Sequence, residues 1–210
     1  MHRAAIFILL ALAGLCPRTA LAAEAAGCTL KLVNTVPVKL AYEGRRAVVS
    51  VTINGKQEQF LLDTGGAFTQ ISATAADELK LPETESYGKM LDLYGHASTR
   101  AVKVDSFVLG RLADKNTRLP VMTFAENELF SGILAADYMG EYDIELDFAG
   151  GKMNYFSPDH CQGKVVYWPA SAIAVVPMRF KNFHLTLPVM LDGKPIRAMI
   201  DTGAPDTTLN

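Results

Sequence analysis

The tripeptide Asp-Thr-Gly occurs twice in this chain, at Asp63-Thr64-Gly65 and at Asp201-Thr202-Gly203. Each copy closes an apolar run, Phe60-Leu61-Leu62 and Ala198-Met199-Ile200. Each run is preceded by a turn containing Gly-Lys, Asn54-Gly55-Lys56 and Asp192-Gly193-Lys194. A carboxylate at the end of a buried strand is costly unless it is paired or hydrogen-bonded. Two in the same setting point to two acids brought together. The likeness extends beyond the tripeptide: a displacement of 201 − 63 = 138 positions lays Ala47–Ser72 on Leu185–Asn210 without a gap. Val51, Gly55, Lys56, Asp63, Thr64, Gly65 and Thr69 then meet Val189, Gly193, Lys194, Asp201, Thr202, Gly203 and Thr207. Apolar positions coincide as well: Ile53 with Leu191, Leu61 with Met199, Leu62 with Ile200 and Ile71 with Leu209. A lone tripeptide recurs by chance, whereas a gapless duplication around both copies marks a repeated unit.

Short strands dominate between these landmarks. Lys31–Val33, Val36–Ala41, Ala47–Ile53 and Gln57–Leu62 are strand candidates, and Asn54-Gly55 is a two-residue hairpin signal because both positions tolerate positive φ. Ala73–Leu79 reads as a short helix with Ser72 placed to cap it. Met90–Tyr94, Thr99–Val108, Leu119–Phe124, Asp143–Phe148 and Lys152–Phe156 complete the strand set. In Asp143–Phe148, three acids alternate with Ile144, Leu146 and Phe148, which predicts one wet face and one buried face. This pattern specifies an all-β, barrel-like domain and excludes βαβ units.

The chain has 210 residues, 50% of them apolar, enough for a real core in one domain or two small ones. A net charge of −2 without like-charge runs gives no electrostatic basis for binding nucleic acid or an anionic membrane. His2-Arg3, the apolar stretch Ala4–Leu15 and Ala20-Leu21-Ala22 read as a signal peptide over 1–22, with the mature chain starting near Ala23 in the periplasm or outside the cell. The apolar stretch is too short to span a bilayer. With Cys16 removed by signal cleavage, Cys28 and Cys161 form an even pair that in an exported protein suggests a disulfide. His160 beside Cys161 has no second His/Cys cluster at metal-ligand spacing. The expected organisation is a first lobe over 28–160, a linker over 161–171 and the start of a second lobe over 172–210. That second lobe stops just past its motif and is expected to be truncated.

These residues resemble the aspartic proteases, specifically the retropepsin-like branch found in exported bacterial proteins. Phe60–Ser72 is similar to the family's active-site loop and following strand, and Leu93-Tyr94-Gly95-His96-Ala97 lies where the family places its flap. Ser131-Gly132-Ile133-Leu134-Ala135-Ala136-Asp137-Tyr138 is similar to the second signature, two apolar residues and a glycine before a short helix. Here Ala135 replaces that glycine, and its extra methyl is expected to cost stability or shift the loop.

The resemblance implies a closed barrel lobe with short helices, followed by the start of a duplicated lobe. It also implies catalysis by Asp63 and Asp201. Two close carboxyl groups share a proton and titrate as a pair. One takes a proton from water and the other donates to the scissile carbonyl, so neither metal nor cofactor is required. Thr64 and Thr202 would bond across to the opposite loop. Gly65 and Gly203 would let the backbone turn tightly and approach its carboxylate with an N–H. Tyr94, Gly95 and His96 would cover a peptide or protein substrate. Three geometries stay open: Asp63 with Asp201 in one chain, two Asp63 residues in a homodimer, or no dyad. A protease-like module that binds peptide without cutting it is the competing class. Phe183, Leu185, Leu187, Val189 and Leu191 alternate cleanly and would need covering partners.

Overall fold

The computed structural model describes residues 30–41, 43–91, 97–122, 130–158 and 172–209. The first tight hairpin organises the lobe. Asn54 and Gly55 take φ of +48° and +84°, the left-handed values that a two-residue turn matched to strand twist demands. They set Ile53 opposite Lys56 and join β2 (Arg46–Ile53) to β3 (Lys56–Asp63). Upstream lies β1 (Leu32–Ala41), a single strand where two short ones were expected. Downstream come β4 (Gln70–Ser72) and helix α1 (Ala73–Glu78), capped as expected by the Ser72 hydroxyl, which accepts from the Ala75 N–H at 3.1 Å. The lobe continues through β5 (Glu83–Leu91), β6 (Ala97–Leu109), β7 (Leu112–Met122), β8 (Gly132–Ala135), a single 3-10 turn (Ala136–Tyr138), β9 (Asp143–Asp147) and β10 (Lys152–Phe156).

Six of these strands close on themselves in the order β2, β3, β8, β4, β7, β6, with β6 returning to β2 at Thr52↔Val108 and Ile53↔Phe107. The fold is therefore all-β with a closed barrel. Two joints in the ring are parallel, β3 with β8 and β4 with β7. The β3–β8 joint sets Asp63 beside Ala135 at one end of the barrel. The interior is filled by Val49, Ile53, Phe60, Leu62, Ile71, Phe107, Leu109 and Leu134, all essentially inaccessible. Burial of each large side chain contributes about 1.5–3 kcal/mol. Phe60 and Phe107 meet edge to face at 6.0 Å. Gly132 is required by space: a Cβ there would lie 2.3 Å from the Gln70 carbonyl and against the Phe60 ring.

Two strands extend beyond their expected limits. β7 begins at Leu112 rather than Leu119, and β5 at Glu83 rather than Met90. Their added segments are polar and show no apolar alternation. They are held by ladder pairing to the long strand β6, from Leu109↔Leu112 outward and from Glu83↔Val102. The clean wet and dry faces expected for Asp143–Phe148 are not found. Every residue of β9 is half-buried and Phe148 is exposed, because β9 is the sheet's edge and pairs only with β10. Ile144 and Leu146 still pack against the core.

The second unit repeats the hairpin. β11 (Arg179–Lys181), β12 (His184–Leu191) and β13 (Lys194–Met199) form a three-stranded antiparallel sheet. Asp192 and Gly193 take φ of +48° and +75°, and Leu191 faces Lys194 as Ile53 faces Lys56. β12 starts 138 positions after β2. Leu185, Leu187 and Val189 are only half-buried, and Phe183 and Leu191 are exposed. The expected signal segment, Cys28, Cys161 and the linker 161–171 lie outside the described residues. Among the described residues, no helix is long and apolar enough to cross a membrane.

Candidate active site

β3 delivers Asp63 to the barrel rim, where the backbone turns back on the carboxylate. The N–H groups of Gly65 and Gly66 both donate to Asp63 Oδ1, at 2.9 and 2.8 Å. The second copy repeats this, with Gly203 and Ala204 N–H donating to Asp201 Oδ1 at 2.8 and 3.1 Å.

The two loops are tied to each other through their threonines. The Thr64 N–H donates to Thr202 Oγ1 and the Thr202 N–H to Thr64 Oγ1, each at 3.1 Å. The Thr64 hydroxyl donates to the Ile200 carbonyl at 2.8 Å, and the Thr202 hydroxyl to the Leu62 carbonyl at 2.7 Å. Each hydroxyl thus accepts one bond and donates one, so the four-bond lock leaves no threonine oxygen unused. Thr64 is buried within it. Of the three geometries open from sequence, the chain adopts the first: Asp63 and Asp201 meet within one molecule.

The glycines answer to a different constraint from the one the sequence suggests. Neither Gly65 nor Gly203 has positive φ. A Cβ on Gly65 would lie 2.4 Å from Asp201 Cγ, and one on Gly203 would lie 2.5 Å from Asp63 Cγ. Each loop therefore approaches the opposite carboxyl so closely that a side chain at the glycine would collide with it. The N–H contact to the loop's own carboxylate is present, as expected.

Burial pushes the Asp63 carboxyl up to about 6, the charge of Asp201 adds to this, and the Gly66 N–H opposes it. A hydrogen bond between the two carboxyl side chains raises it further, and the Gly65 N–H lowers it. Burial is the larger cause and the neighbouring Asp201 the second, as for a carboxyl seated against another acid.

Several supporting contacts had no sequence signal. Asp137 accepts from the Thr69 N–H at 2.9 and 3.0 Å and from the Thr69 hydroxyl at 2.7 Å. Thr69 Oγ1 in turn accepts from the Ala135 N–H at 3.0 Å. That relay ties the chain after the Asp63 loop to the strand beneath it. Burial raises the Asp137 carboxyl, opposed first by the Thr69 N–H and hydroxyl. The Arg46 guanidinium donates to the Gly203 carbonyl, and Arg45 pairs with Asp206 at 3.1 Å. These two arginines, Glu43 and Pro205 line an open cleft of about 370 Å³. Phe68 meets Phe183 of the second unit at 5.2 Å between centroids.

The backbone at Ala135 is extended, with φ −99° and ψ −179°, and the residue is fully buried. Gly66 lies across from its methyl: a Cβ there would stand 3.2 Å from Ala135 Cβ. The flap residues Tyr94, Gly95 and His96 lie outside the described residues.

Residues 49–138 match the family model described as Aspartyl protease. Among solved structures, the chain is similar to a retropepsin-like aspartic protease from Rickettsia conorii. The identity is 16% and the TM-score 0.42, over 62% of this chain and 96% of that one. A search of curated proteins returned no match. Residues 49–138, which carry the Asp63 loop and the Ala135 strand end, are thus similar to the aspartyl protease family, and they lie in a lobe of closed, all-β form.

Proposed function

We propose that this protein is an exported aspartic endopeptidase that hydrolyses a peptide bond in an extended segment, using Asp63 and Asp201 as a dyad. The observation that supports this most strongly is the reciprocal pair of loops. Each carboxylate takes two N–H bonds from its own turn, and the threonines lock the turns face to face. Asp63, raised to about 6 by burial and by Asp201, is suited to share one proton with it. The ionised partner of the dyad would take a proton from water as the oxygen adds to the scissile carbonyl. The protonated partner would give its proton to the carbonyl oxygen. When the resulting gem-diol collapses and the C–N bond breaks, one hydroxyl proton returns to the partner that gave its own, and the proton taken from water passes to the leaving nitrogen. The substrate would lie as an added β-strand, held by main-chain bonds, with side-chain pockets giving preference. Tyr94, Gly95 and His96 are proposed to cover it.

Export is proposed from the N-terminal 22 residues, and sequencing the secreted product should find Ala23 at its start. The catalytic assignment is tested with the mature protein, a peptide library and mass-spectrometric readout from acid to neutral pH. Pepstatin-sensitive cleavage should disappear in Asp63→Asn. Cleavage retained by that variant would contradict the assignment, and peptide binding without products would favour the non-hydrolytic module.

A further inference from the structure

Within the four residues that begin at each aspartate, the two repeats differ at one position: Gly66 stands where the second copy has Ala204. Both donate N–H to the Oδ1 of their own aspartate. A Cβ at Gly66 would meet three atoms at 3.2 Å each: Ala135 Cβ, Ile133 Cδ1 and Asp63 Oδ2. Ala135 is the partner of Asp63 across the β3–β8 joint and is completely buried. Its neighbour Ala136 donates N–H to the Gly66 carbonyl at 3.2 Å. A residue-66 methyl would therefore stand a few tenths of an ångström too close to the Ala135 methyl on one side and to the Asp63 carboxylate on the other.

We propose that Gly66 and Ala135 are a size-matched pair of positioning residues, in which the Ala135 methyl bounds the space beside residue 66 and the smallness of Gly66 leaves the Asp63 carboxylate its seat. This rests on the Asp63–Asp201 reading only for its catalytic consequence. The geometry itself concerns how one carboxyl is seated. Ile133 Cδ1 is the end of a flexible side chain and can yield. Ala135 sits in the barrel wall and cannot, so the strain of an added methyl at 66 passes to Asp63. Asp201 is the charged group facing Asp63. Asp137, through Thr69, and Arg46, through the Gly203 carbonyl, lie one contact further out.

The test compares Gly66→Ala, Ala135→Gly and the double variant in the mature protein. The readout is the Asp63 carboxyl titration by carbon NMR, assigned with Asp63→Asn and needing no substrate. Gly66→Ala should weaken the Gly66 N–H bond and move the midpoint up by about half a pH unit. Ala135→Gly thins the buried packing at the strand end paired with Asp63, and since burial is the main cause of the raised value it should move the midpoint down. The double variant should return towards wild type. Where cleavage is measurable, Gly66→Ala should lose about tenfold in kcat/KM, with partial recovery in the double variant. Additive shifts in the double variant, or melting temperatures that fall while the titration stays fixed, would overturn the pairing. If Gly66→Ala does not fold, an unmoved Asp63 midpoint in Ala135→Gly overturns it as well. A normal titration pattern without peptidase activity would count against the function and not against this pair.

Discussion

The hairpins β2–β3 and β12–β13 share a turn, a register and a terminal Asp-Thr-Gly, yet they sit in different surroundings. In the first unit, β8 pairs alongside β3 and β6 closes on β2, so Phe60, Leu62, Val51 and Ile53 are sealed. In the second, among the described residues, β12 and β13 pair only with each other and with β11, and Met190, Leu191 and Met199 are exposed. The same local sequence thus forms the same turn in both places. What holds the second aspartate in position is its contact with the first loop: four threonine bonds, the Arg46 contact and the Phe68–Phe183 ring pair. Turn chemistry specifies the hairpin, and packing across the two units specifies the site.

The most severe way to break this arrangement is to separate the loops. Gly203→Ala places a methyl 2.5 Å from Asp63 Cγ, so one loop must retreat. Activity should fall about 100-fold or more, the scale on which a misplacement of about 1 Å acts. Steady-state kinetics on a cleaved peptide checks this, and a near-normal rate would show that the loops do not approach so closely.

A milder break removes half of the lock. Thr202→Val deletes the hydroxyl that serves both the Leu62 carbonyl and the Thr64 N–H. Two part-buried groups lose partners, at about 1–3 kcal/mol each. The loss should fall on the second unit, since the first keeps its barrel. Hydrogen exchange should show β12–β13 amides opening sooner than β2–β3 amides in wild type, and the gap should widen in Thr202→Val. Equal protection in both hairpins would remove the contrast.

The smallest expected effect is a dependence of stability on pH. Asp63 is raised from 3.8 to about 6 in the folded state, so between those values the folded chain binds more protons than the unfolded one. Its contribution is therefore present in full below about pH 4 and is lost as pH rises through about 6. After screening of this partly exposed group, its size is on the order of 1–2 kcal/mol. Denaturant melts of wild type minus Asp63→Asn should decline over this window. A rising difference would reverse the sign of the shift.

Much of the fold was legible because it is written locally. Asn54-Gly55 and Asp192-Gly193 announce tight turns, Ser72 announces a helix start, and the 138-residue repeat aligns the two acids. The polar stretches of β5 and β7 were not legible, since ladder pairing with β6 holds them and that pairing leaves no apolar period. The bonds of Asp137, a member of the second signature, and of Arg46 were missed for a related reason: their partners Thr69 and Gly203 are distant in sequence. The closeness of Ala135 to Gly66 has no local signature either, since their contact is made only by three-dimensional packing.

The central claim is that Asp63 and Asp201 face each other as one dyad within a single chain. It is tested most directly by following the Asp63 carboxyl in the Asp201→Asn variant of the mature protein. Burial alone should keep the midpoint above the ordinary carboxylate range, but without the neighbouring charge it should drop clearly below about 6. A midpoint unchanged from wild type would mean that the two aspartates do not face each other, and would contradict the account.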